Sequence, residues 1–435
     1  MKQKFLIDKK IYNILIISLI IVFSFFTFLT IKSYNNKSIE EIKINKSNRE
    51  SFSVMVQNND GKYQKYESDT LYPDGYAYNP VKSYCEDING DKVTGVLTTN
   101  NSSFTVTSDV TVYCYLYFDI SFASKLINNN ELWQSNLEGD GYRYIGSGAY
   151  DSETTPNNFV CFGTTSSEEC KANELKYMYR IIGVFPDNDG KQHLKLIKFK
   201  QLEETYAWVS DAKTEVSWSG SALNTGLNTE YFKTNTNYNY MQDTTWLNKI
   251  EDWQWQNVLT RVYGVDSNNS TSSDNGPSYL RITSEQMYLH ERNKQNLLNS
   301  HTCVSGNTTN STCSWSLALW DTSTGKIGLI YGSDYMLALG SSALNYTCIA
   351  NSATLNTGWI HQSNNDTSKS IHEWTVDSDG LNSSGNMRAW GLYSTQGVGT
   401  IVATGKYGVR PVFYLKSNVV TISGSGTYND PYIIN

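Results

Sequence analysis

The sequence predicts an α+β protein preceded by a small all-β module. Two helical patterns, at 245–264 and 283–300, lie between alternating β segments in the second half of the 435-residue chain. The chain is 39% hydrophobic and 13% aromatic but only 18% charged, which is typical of β-rich, loop-rich surface proteins. An AT-rich genome would produce the same excess of Asn, Ile, Lys and Tyr, so composition leaves both explanations open.

The all-β module is predicted over residues 51–120. Apolar and polar residues alternate clearly in 105–118, and Asp-Gly and Asn-Gly dipeptides separate the shorter alternating segments. A module of this size buries a limited core, so a disulfide would help to stabilise it. Residues 121–139 are interpreted as a linker.

The second domain is predicted over residues 140–435. Its best hairpin pairs "YMYRIIGVF" with "KQHLKLIKFK" across the turn "PDNDG". The first helical pattern places Trp246, Ile250, Trp253 and Val258 near one helix face, and the second begins at Thr283, a predicted N-cap. Strands resume at 326 and continue to the C-terminus.

A membrane anchor is predicted near the N-terminus. Residues 11–31 form a run of 21 without charge, long enough to cross a bilayer, and they lack a small-residue cleavage pattern. The four Lys of residues 1–10 place that tail in the cytoplasm, and 32–50 is interpreted as a stalk. We therefore expect a single-pass cell-membrane protein whose C-terminal part is extracellular; a cleaved signal peptide is the alternative.

The seven cysteines agree with export, because thiols pair in oxidising compartments. Their spacing contains no C-x-x-C, so it favours neither a zinc site nor a redox motif. Cys348 is left over, either as a buried free thiol or in an alternative pairing. The predicted pairs are Cys85–Cys114, Cys161–Cys170 and Cys303–Cys313.

The charge distribution argues against a nucleic-acid partner. The net charge is −7, and the chain after residue 10 carries 31 basic and 41 acidic residues, a net charge of −10. No basic cluster is present in that part of the sequence, although phosphate binding needs concentrated Lys and Arg.

The segment "KYGVRPVFYLKS", residues 406–417, reads as a strand with unusual residues in it. Gly408 indicates a kink or a close backbone approach, and Pro411 is tolerated only at a strand start or a sheet edge. Arg410 lies in an apolar run and must find a carboxylate or several backbone carbonyls if it is buried. We expect these three residues to be structural.

The same segment carries a resemblance. "YGVRPVFYL" followed by "SGSGTYNDPYII", with "YRIIGVF", "LKLIK", "SALNTGLN", "GLIYGSDYMLA" and "RAWGL", resembles an uncharacterised extracellular domain of low-GC bacteria. "FSVMVQNNDGKY…SYC…CYLYFD" resembles a small β module that accompanies it, so most of 51–435 is covered. That domain is similar to the sulfatase-modifying-factor branch of the C-type-lectin-like fold, where a "G-[FV]-R" strand closes the sheet. The resemblance implies a lectin-like fold for 140–435.

No catalytic residue and no cofactor are predicted. Relatives in that branch use a cysteine pair shortly before the closing Arg strand, whereas no cysteine follows Cys348 here. His301 lies near Cys303, which is expected in a disulfide, and His372 and Glu373 are expected to be a solvated pair on opposite strand faces. Three acidic segments, 87–91, 187–190 and 377–380, are interpreted as plain turns, so no metal site is predicted.

The remaining prediction is aromatic recognition near the C-terminus, where lectin-like folds present binding loops. Tyr and Trp suit sugars and protein surfaces because they combine contact area with a polar group; the alternative is that the two Trp are core residues. We predict a membrane-anchored cell-surface protein that binds or adheres to glycan, cell-wall or protein ligands; an envelope enzyme with an unrecognised site and a structural spacer are the alternatives. The candidate ligand-binding residues are Trp374, Asp379, Arg388, Trp390, Tyr393 and Tyr407.

Overall fold

A computed structural model describes the chain in two compact units. The first comprises residues up to 73 together with 78–118, and the second comprises 74–77 and 119–435. For 256–263, 304–305, 308–309, 314–322, 362, 379–381, 393 and 397–400 only the backbone is described. The described residues are 52–68, 70–100, 103–134, 141–148, 152–187, 189–211, 213–214, 216–229, 244–263, 304–305, 308–309, 314–331, 334–335, 338–339, 358–362, 372–381, 384–393 and 397–435.

Several predictions fall outside these residues. They concern the tail, membrane segment and stalk of 1–50, the helix of 283–300, the Cys303–Cys313 pair and Cys348. Within the described ranges, the search for a helix of membrane-spanning length and apolarity found none.

The described residues are mostly β-sheet, with few and short helices. The strands are β1 Phe52–Gln57, β2 Tyr63–Lys65, β3 Tyr76–Tyr78, β4 Tyr84–Asp87, β5 Lys92–Val93, β6 Leu97–Thr99, β7 Phe104–Val106, β8 Val112–Ile120, β9 Trp133–Gln134, β10 Tyr142–Arg143, β11 Phe159–Cys161, β12 Met178–Pro186, β13 Gln192–Lys198, β14 Tyr206–Ala207, β15 Trp253–Tyr263, β16 Val304–Ser305, β17 Thr308–Thr309, β18 Ser314–Gly325, β19 Glu373–Leu381, β20 Met387–Tyr393, β21 Gly397–Val402, β22 Lys406–Tyr407, β23 Val412–Tyr414, β24 Thr421–Ser423 and β25 Tyr432–Ile434. The helices are α1 Phe122–Asn128, α2 Ser167–Ala172, α3 Glu174–Tyr177, α4 Ala222–Thr229, α5 Thr244–Leu247 and α6 Trp359–Gln362.

The first unit is organised around one sheet with strand order β2-β1-β8-β4-β5. Along β8, Cys114, Leu116 and Phe118 are buried while Tyr113, Tyr115 and their odd-numbered neighbours lie on the opposite, more exposed face. This alternation follows from the two-residue period of a strand, which sends successive side chains to opposite faces. One face of the sheet therefore builds the core, and the other meets solvent.

Two of the predicted disulfides are confirmed. Cys85 and Cys114 face each other in the register of β4 and β8 and are bonded. Cys161 and Cys170 are bonded as well, and all four cysteines are buried. The first bond holds β4 and β8 in register on the buried face of the sheet.

The predicted hairpin of the second unit is also confirmed. β12 and β13 pair antiparallel from Tyr179↔Lys198 to Pro186↔Gln192. They lie at the centre of a sheet with the order β23-β13-β12-β11-β25-β24, so the C-terminal strand β25 is integrated beside β11. At the turn, the Asp187 carboxylate accepts from the backbone N–H groups of Asp189 and Lys191, at 2.9 Å each.

The predicted helix over 245–264 is wrong for most of its length. A short helix, α5, ends at Leu247, and β15 begins at Trp253 and pairs with β18. Trp253 and Trp255 are buried while Gln254 between them is exposed, which is the period of a strand. The spacing of the apolar residues also fits one face of a helix, but the alternation of buried and exposed residues is that of a strand.

Residues 121–128, predicted as part of a linker, belong to the second unit. Ser121 caps α1 by accepting the Ser124 N–H, and Phe122 and Leu126 are buried in the core of that unit. Phe122 also makes an edge-to-face contact with Tyr432 at 4.8 Å between ring centroids. An apolar helix face that packs on the core explains why this segment is not a free connection.

The closing segment 406–417 contains two short strands rather than one. β22 pairs with β14, and β23 pairs with β13 at one end of the larger sheet. Gly408, which lies between β22 and β23 in the chain, forms an isolated bridge with Glu373. A Cβ at Gly408 would meet the end of the Gln201 side chain, so a larger residue there requires that side chain to move. Pro411 stands directly before β23, where a missing N–H breaks no ladder hydrogen bond.

Candidate functional site

Two of the predicted ligand-binding residues are core residues. Trp374 is 0% exposed, and its Nε1 donates to the Tyr206 carbonyl at 2.7 Å. Trp390, on the adjacent strand β20, is 6% exposed and belongs to the same core cluster. Neither indole offers a surface to a ligand in solution.

The other predicted residues are partly accessible. Arg388 on β20 and Tyr407 on β22 are half-buried. Tyr407 contacts the Trp374 ring edge-to-face at 5.0 Å and the His372 ring at 5.4 Å, and burial lowers the pKa of His372. The side chains of Asp379 and Tyr393 lie outside the described residues. The structure thus brings Trp374 and Tyr407 together, within a packed region.

Arg410 is held by a buried carboxylate. Its Nε donates to Glu373 Oε2 at 2.8 Å and its Nη2 donates to the Ile360 carbonyl at 3.0 Å. Both side chains of the ion pair are fully buried. The prediction that His372 and Glu373 form a solvated pair is therefore wrong for Glu373, because the Arg410 guanidinium draws it into the core.

A second buried guanidinium, that of Arg180, lies in the same core. It is sandwiched against the rings of Phe159 and Trp359, each 4.3 Å from Cζ, and its Nε donates to Asn158 at 2.7 Å. Burial, together with the charge of Arg410, lowers the pKa of Arg180. These contacts, with two rings and a neutral amide, support a packing role.

A cluster of three buried charges crosses the core of the second unit. Asp334 accepts from Arg143 Nη1 and from Lys195 Nζ, both at 2.7 Å, and from the Tyr331 N–H at 3.1 Å. Burial alone would raise the pKa of Asp334, but the Lys195 and Arg143 cations outweigh it and hold that pKa below its ordinary value. This cluster ties β10, β13 and the segment around 334 together and is fully enclosed.

The most prominent accessible feature is on the first unit. We call it the tyrosine face, and it consists of Tyr63, Tyr84, Tyr113, Tyr115 and Tyr117 on the solvent side of the sheet. The Tyr84 and Tyr115 rings stack at 5.1 Å and 26°, and Tyr84 and Tyr117 stack at 6.3 Å and 23°. Tyr63 meets Tyr117 edge-to-face at 5.0 Å. Tyr113 is 46% exposed at one end of this row.

The strand register builds the tyrosine face directly. Tyr84 lies opposite Tyr115 in the pairing of β4 with β8, and the Cys85–Cys114 disulfide joins the next pair on the buried side. Side chains opposite each other on one face of an antiparallel pair are close enough to interact. On the buried side of the sheet, the disulfide therefore holds in register the two strands that carry the stacked Tyr84 and Tyr115 rings.

Charged groups border the tyrosine face. Lys92 Nζ lies 4.6 Å above the Tyr84 ring, and Lys82 Nζ lies 4.3 Å above the Tyr63 ring and donates to the Tyr63 hydroxyl at 2.7 Å. The Tyr115 hydroxyl donates to Glu86 at 2.9 Å, and that hydrogen bond raises the pKa of Tyr115. Partial burial raises the pKa of Tyr84. The Tyr84 and Tyr115 phenols are therefore neutral hydrogen-bonding groups at physiological pH.

Two exposed aliphatic side chains extend this surface. Ile88 in the β4–β5 turn is 73% exposed, and Val110 before β8 is 56% exposed. The pairs Glu86↔Tyr113 and Asp87↔Val112 bring both segments to the end of the row that Tyr113 occupies. Exposed apolar groups next to aromatic and charged side chains are typical of an interaction surface.

The acidic segments behave differently from one another. The carboxylates of Asp87 and Asp187 each close a turn by accepting from the backbone N–H groups two and four residues later, and the N–H groups of Asp91 and Asn89 lower the pKa of Asp87. Residues 377–380, predicted as a turn, lie instead within β19. In the described ranges, no three His, Cys, Asp or Glu side chains converge in a way that could hold a metal ion.

The prediction from the sequence named C-terminal residues and none of the residues of the tyrosine face. The available signal was the segment "VYCYLYFD" in β8, where tyrosines alternate with buried residues. Alternate tyrosines on a half-buried strand predict an aromatic solvent face. Comparisons with protein-family models, curated proteins and solved structures found no match to the chain.

Proposed function

We propose that the chain is a membrane-anchored, outward-facing binding protein whose ligand surface is the tyrosine face of the first unit. The observation that carries the proposal is the accessible, disulfide-braced row of stacked tyrosines, which ends in the exposed Tyr113. Such a row offers contact area and hydroxyl groups at little cost in side-chain entropy, because its rings are already held by one another.

The outward location rests on two supports. The sequence carries an uncharged run at 11–31 behind a lysine-rich tail, and two buried disulfides are formed in the chain that follows. Disulfides persist in oxidising compartments outside the cytoplasm. The lectin-like fold implied for the second unit accords with a surface role and stays a prediction.

Binding of the full chain should depend on the tyrosine face. We expect the protein, held in lipid nanodiscs, to bind at least one member of an array of glycans, cell-wall fragments and surface proteins. Replacing Tyr84, Tyr113 and Tyr115 together by Thr removes the rings but keeps β-branched, strand-compatible side chains. We expect this variant to lose at least tenfold in affinity, measured by biolayer interferometry.

A matched control uses the site predicted from the sequence. The double variant Arg388→Ala and Tyr407→Thr should bind the array ligand as the wild type does, provided that its melting temperature shows a folded second unit. Failure of the wild-type protein to bind any member of the array would contradict the binding function. Loss of binding in the control, with the triple variant unaffected, would move the ligand surface to the C-terminal region.

A further inference from the structure

From the end of the tyrosine face that Tyr113 occupies, we infer that the ligand is an arginine-rich segment of another protein, which carries apolar residues as well. The inference rests on the proposed binding function and names the class of ligand. Three observations carry it: the Tyr113 ring is uncovered, carboxylates near it are unpaired, and exposed aliphatic side chains lie at the same end of the row.

Two rings of the tyrosine face already receive cations. Lys92 Nζ lies 4.6 Å above the Tyr84 ring, and Lys82 Nζ lies 4.3 Å above the Tyr63 ring. Tyr113 is 46% exposed and differs from them, because within the described part of the first unit no aromatic ring or cation covers it. An aromatic ring face attracts an ammonium or guanidinium group placed over it. The Tyr113 ring is therefore open to a cation of the ligand.

The charge at this end of the row is negative. Glu86 lies opposite Tyr113 in the register of β4 and β8, and Asp109 stands four residues before Tyr113 in the chain. The carboxylates of Asp91 and Asp109 are exposed and have no hydrogen-bond or ion-pair partner among the described residues. Lys92, opposite Glu86 in the pairing of β4 with β5, offsets only one of these charges. Complementarity therefore requires a cationic partner.

Arginine meets these requirements better than lysine or an amino sugar. Its planar guanidinium stacks on an aromatic ring and presents a fork of N–H donors to carboxylates, whereas an ammonium group is a strongly hydrated point charge. Ile88 and Val110, at the same end of the row, are 73% and 56% exposed. They can cover an apolar side chain of a protein partner, whereas a hydroxyl-rich sugar gains little from them. Stacking, ion pairing and apolar contact together fit an arginine-rich polypeptide.

The test compares two cationic polymers. The full chain in nanodiscs of zwitterionic lipid is exposed to a random copolypeptide of Arg and Trp, and separately to chitosan, a sugar polymer with ammonium groups; empty nanodiscs give the background. We expect the copolypeptide to bind and the double charge reversal Asp91→Lys and Asp109→Lys to weaken it at least tenfold. Because the attracting charges are exposed, raising the salt from about 0.05 to 0.3 M should weaken the wild-type complex as well.

Two substitutions at Tyr113 test the contribution of its ring. Tyr113→Phe keeps the aromatic face and should bind the copolypeptide within twofold of wild type. Tyr113→Thr removes the ring but keeps a β-branched, strand-compatible side chain, and it should weaken binding at least fivefold. Equal binding by the two variants would contradict the stacking of a ligand cation on this ring.

The charge control is the double variant Asp60→Lys and Glu67→Lys in the same unit. Both residues are exposed, and Asp60 follows β1 beyond the end of β8 opposite to Tyr113. This variant changes the net charge equally and should leave copolypeptide binding within twofold of wild type. The inference is overturned if the copolypeptide does not bind, if chitosan binds at least as tightly, or if the two double reversals have equal effects. If the array of the preceding section yields a ligand whose binding the triple Tyr variant abolishes and the Asp91→Lys and Asp109→Lys variant leaves unchanged, the binding function stands and this inference fails.

Discussion

Replacing Asp334 by Ala should strongly destabilise the second unit. Asp334 accepts hydrogen bonds from Arg143 and Lys195 in a fully enclosed position. Without it, two cations stay buried with their shared counter-charge removed, and breaking a buried pair costs about 3–5 kcal/mol. We expect the melting temperature of the second unit to fall on the order of 10 °C by calorimetry.

Two further variants test whether the unpaired buried charges cause the loss of stability. Asp252→Ala removes a carboxylate from a partly exposed ion pair with Lys326, at 3.0 Å, and should change stability by less than about 1 kcal/mol. Replacing Arg143, Lys195 and Asp334 together by Met, Met and Leu removes all three charges and should recover most of the lost stability. Equal melting of wild type and Asp334→Ala would contradict the account of the cluster.

The same cluster predicts the direction of the pH dependence. The pKa of Asp334 is held below its ordinary value in the folded protein, so the carboxylate contributes stability that is complete above the unfolded carboxyl pKa of about 4. The contribution is lost as the pH falls through the lower, folded value. Acid unfolding of Asp334→Asn should therefore show a shallower slope below pH 4 than that of the wild type.

Replacing Arg410 by Ala should also unfold the second unit at a lower temperature. Arg410 bridges Glu373 and the Ile360 carbonyl from a position without solvent access. Its removal leaves Glu373 buried without that cation, at a cost of about 3–5 kcal/mol. Arg410→Lys should rescue little, because one ammonium does not reproduce the two directions of Nε and Nη2.

The control for Arg410 lies four residues earlier. Lys406 is exposed on β22, and Lys406→Ala should leave the melting temperature almost unchanged. A structural role for Arg410 would be contradicted if the Arg410→Ala variant had the melting temperature of the wild type but no longer bound the ligand. In that case Arg410 contacts the ligand.

Parts of this fold follow from local patterns. The alternating hairpin of β12 and β13 and the close Cys161–Cys170 pair depend on residues near each other in sequence, and both were predictable. The strand over 253–263 was mistaken for a helix because its apolar spacing also fits a helical face. Pairing with β18, more than fifty residues away, decides the conformation there.

The partners of the buried charges could not be predicted in the same way. Arg410 and Lys195 each stand in an apolar run, which indicates that they are buried and need partners. Their partners come from strands and segments far along the chain: Asp334 lies 191 residues from Arg143 and 139 from Lys195. Only the sheet arrangement brings those groups together.

The burial of two predicted ligand-binding residues was missed for a related reason. Tryptophans in a loop-rich stretch suggested a surface, but Trp374 lies on β19 and is enclosed by the core. The tyrosines of β8 alternate with buried residues, and their stacking partners come from β4 and β2. The alternation along β8 indicates a row of exposed tyrosines. The stacking of their rings and the charged groups at the rim depend on how β8 is paired with its neighbouring strands, which the sequence of β8 alone does not specify.

The central claim is that the tyrosine face is the ligand surface, and oxidative footprinting of the full chain tests it most directly. The protein is labelled with hydroxyl radicals in the presence and absence of its array ligand, and modification is read by mass spectrometry of the digested chain. The account predicts that ligand reduces modification of Tyr84, Tyr113 and Tyr115 at least threefold while Tyr407 is unchanged. Protection of Tyr407 and its surroundings, with the tyrosine face modified equally in both samples, would contradict it.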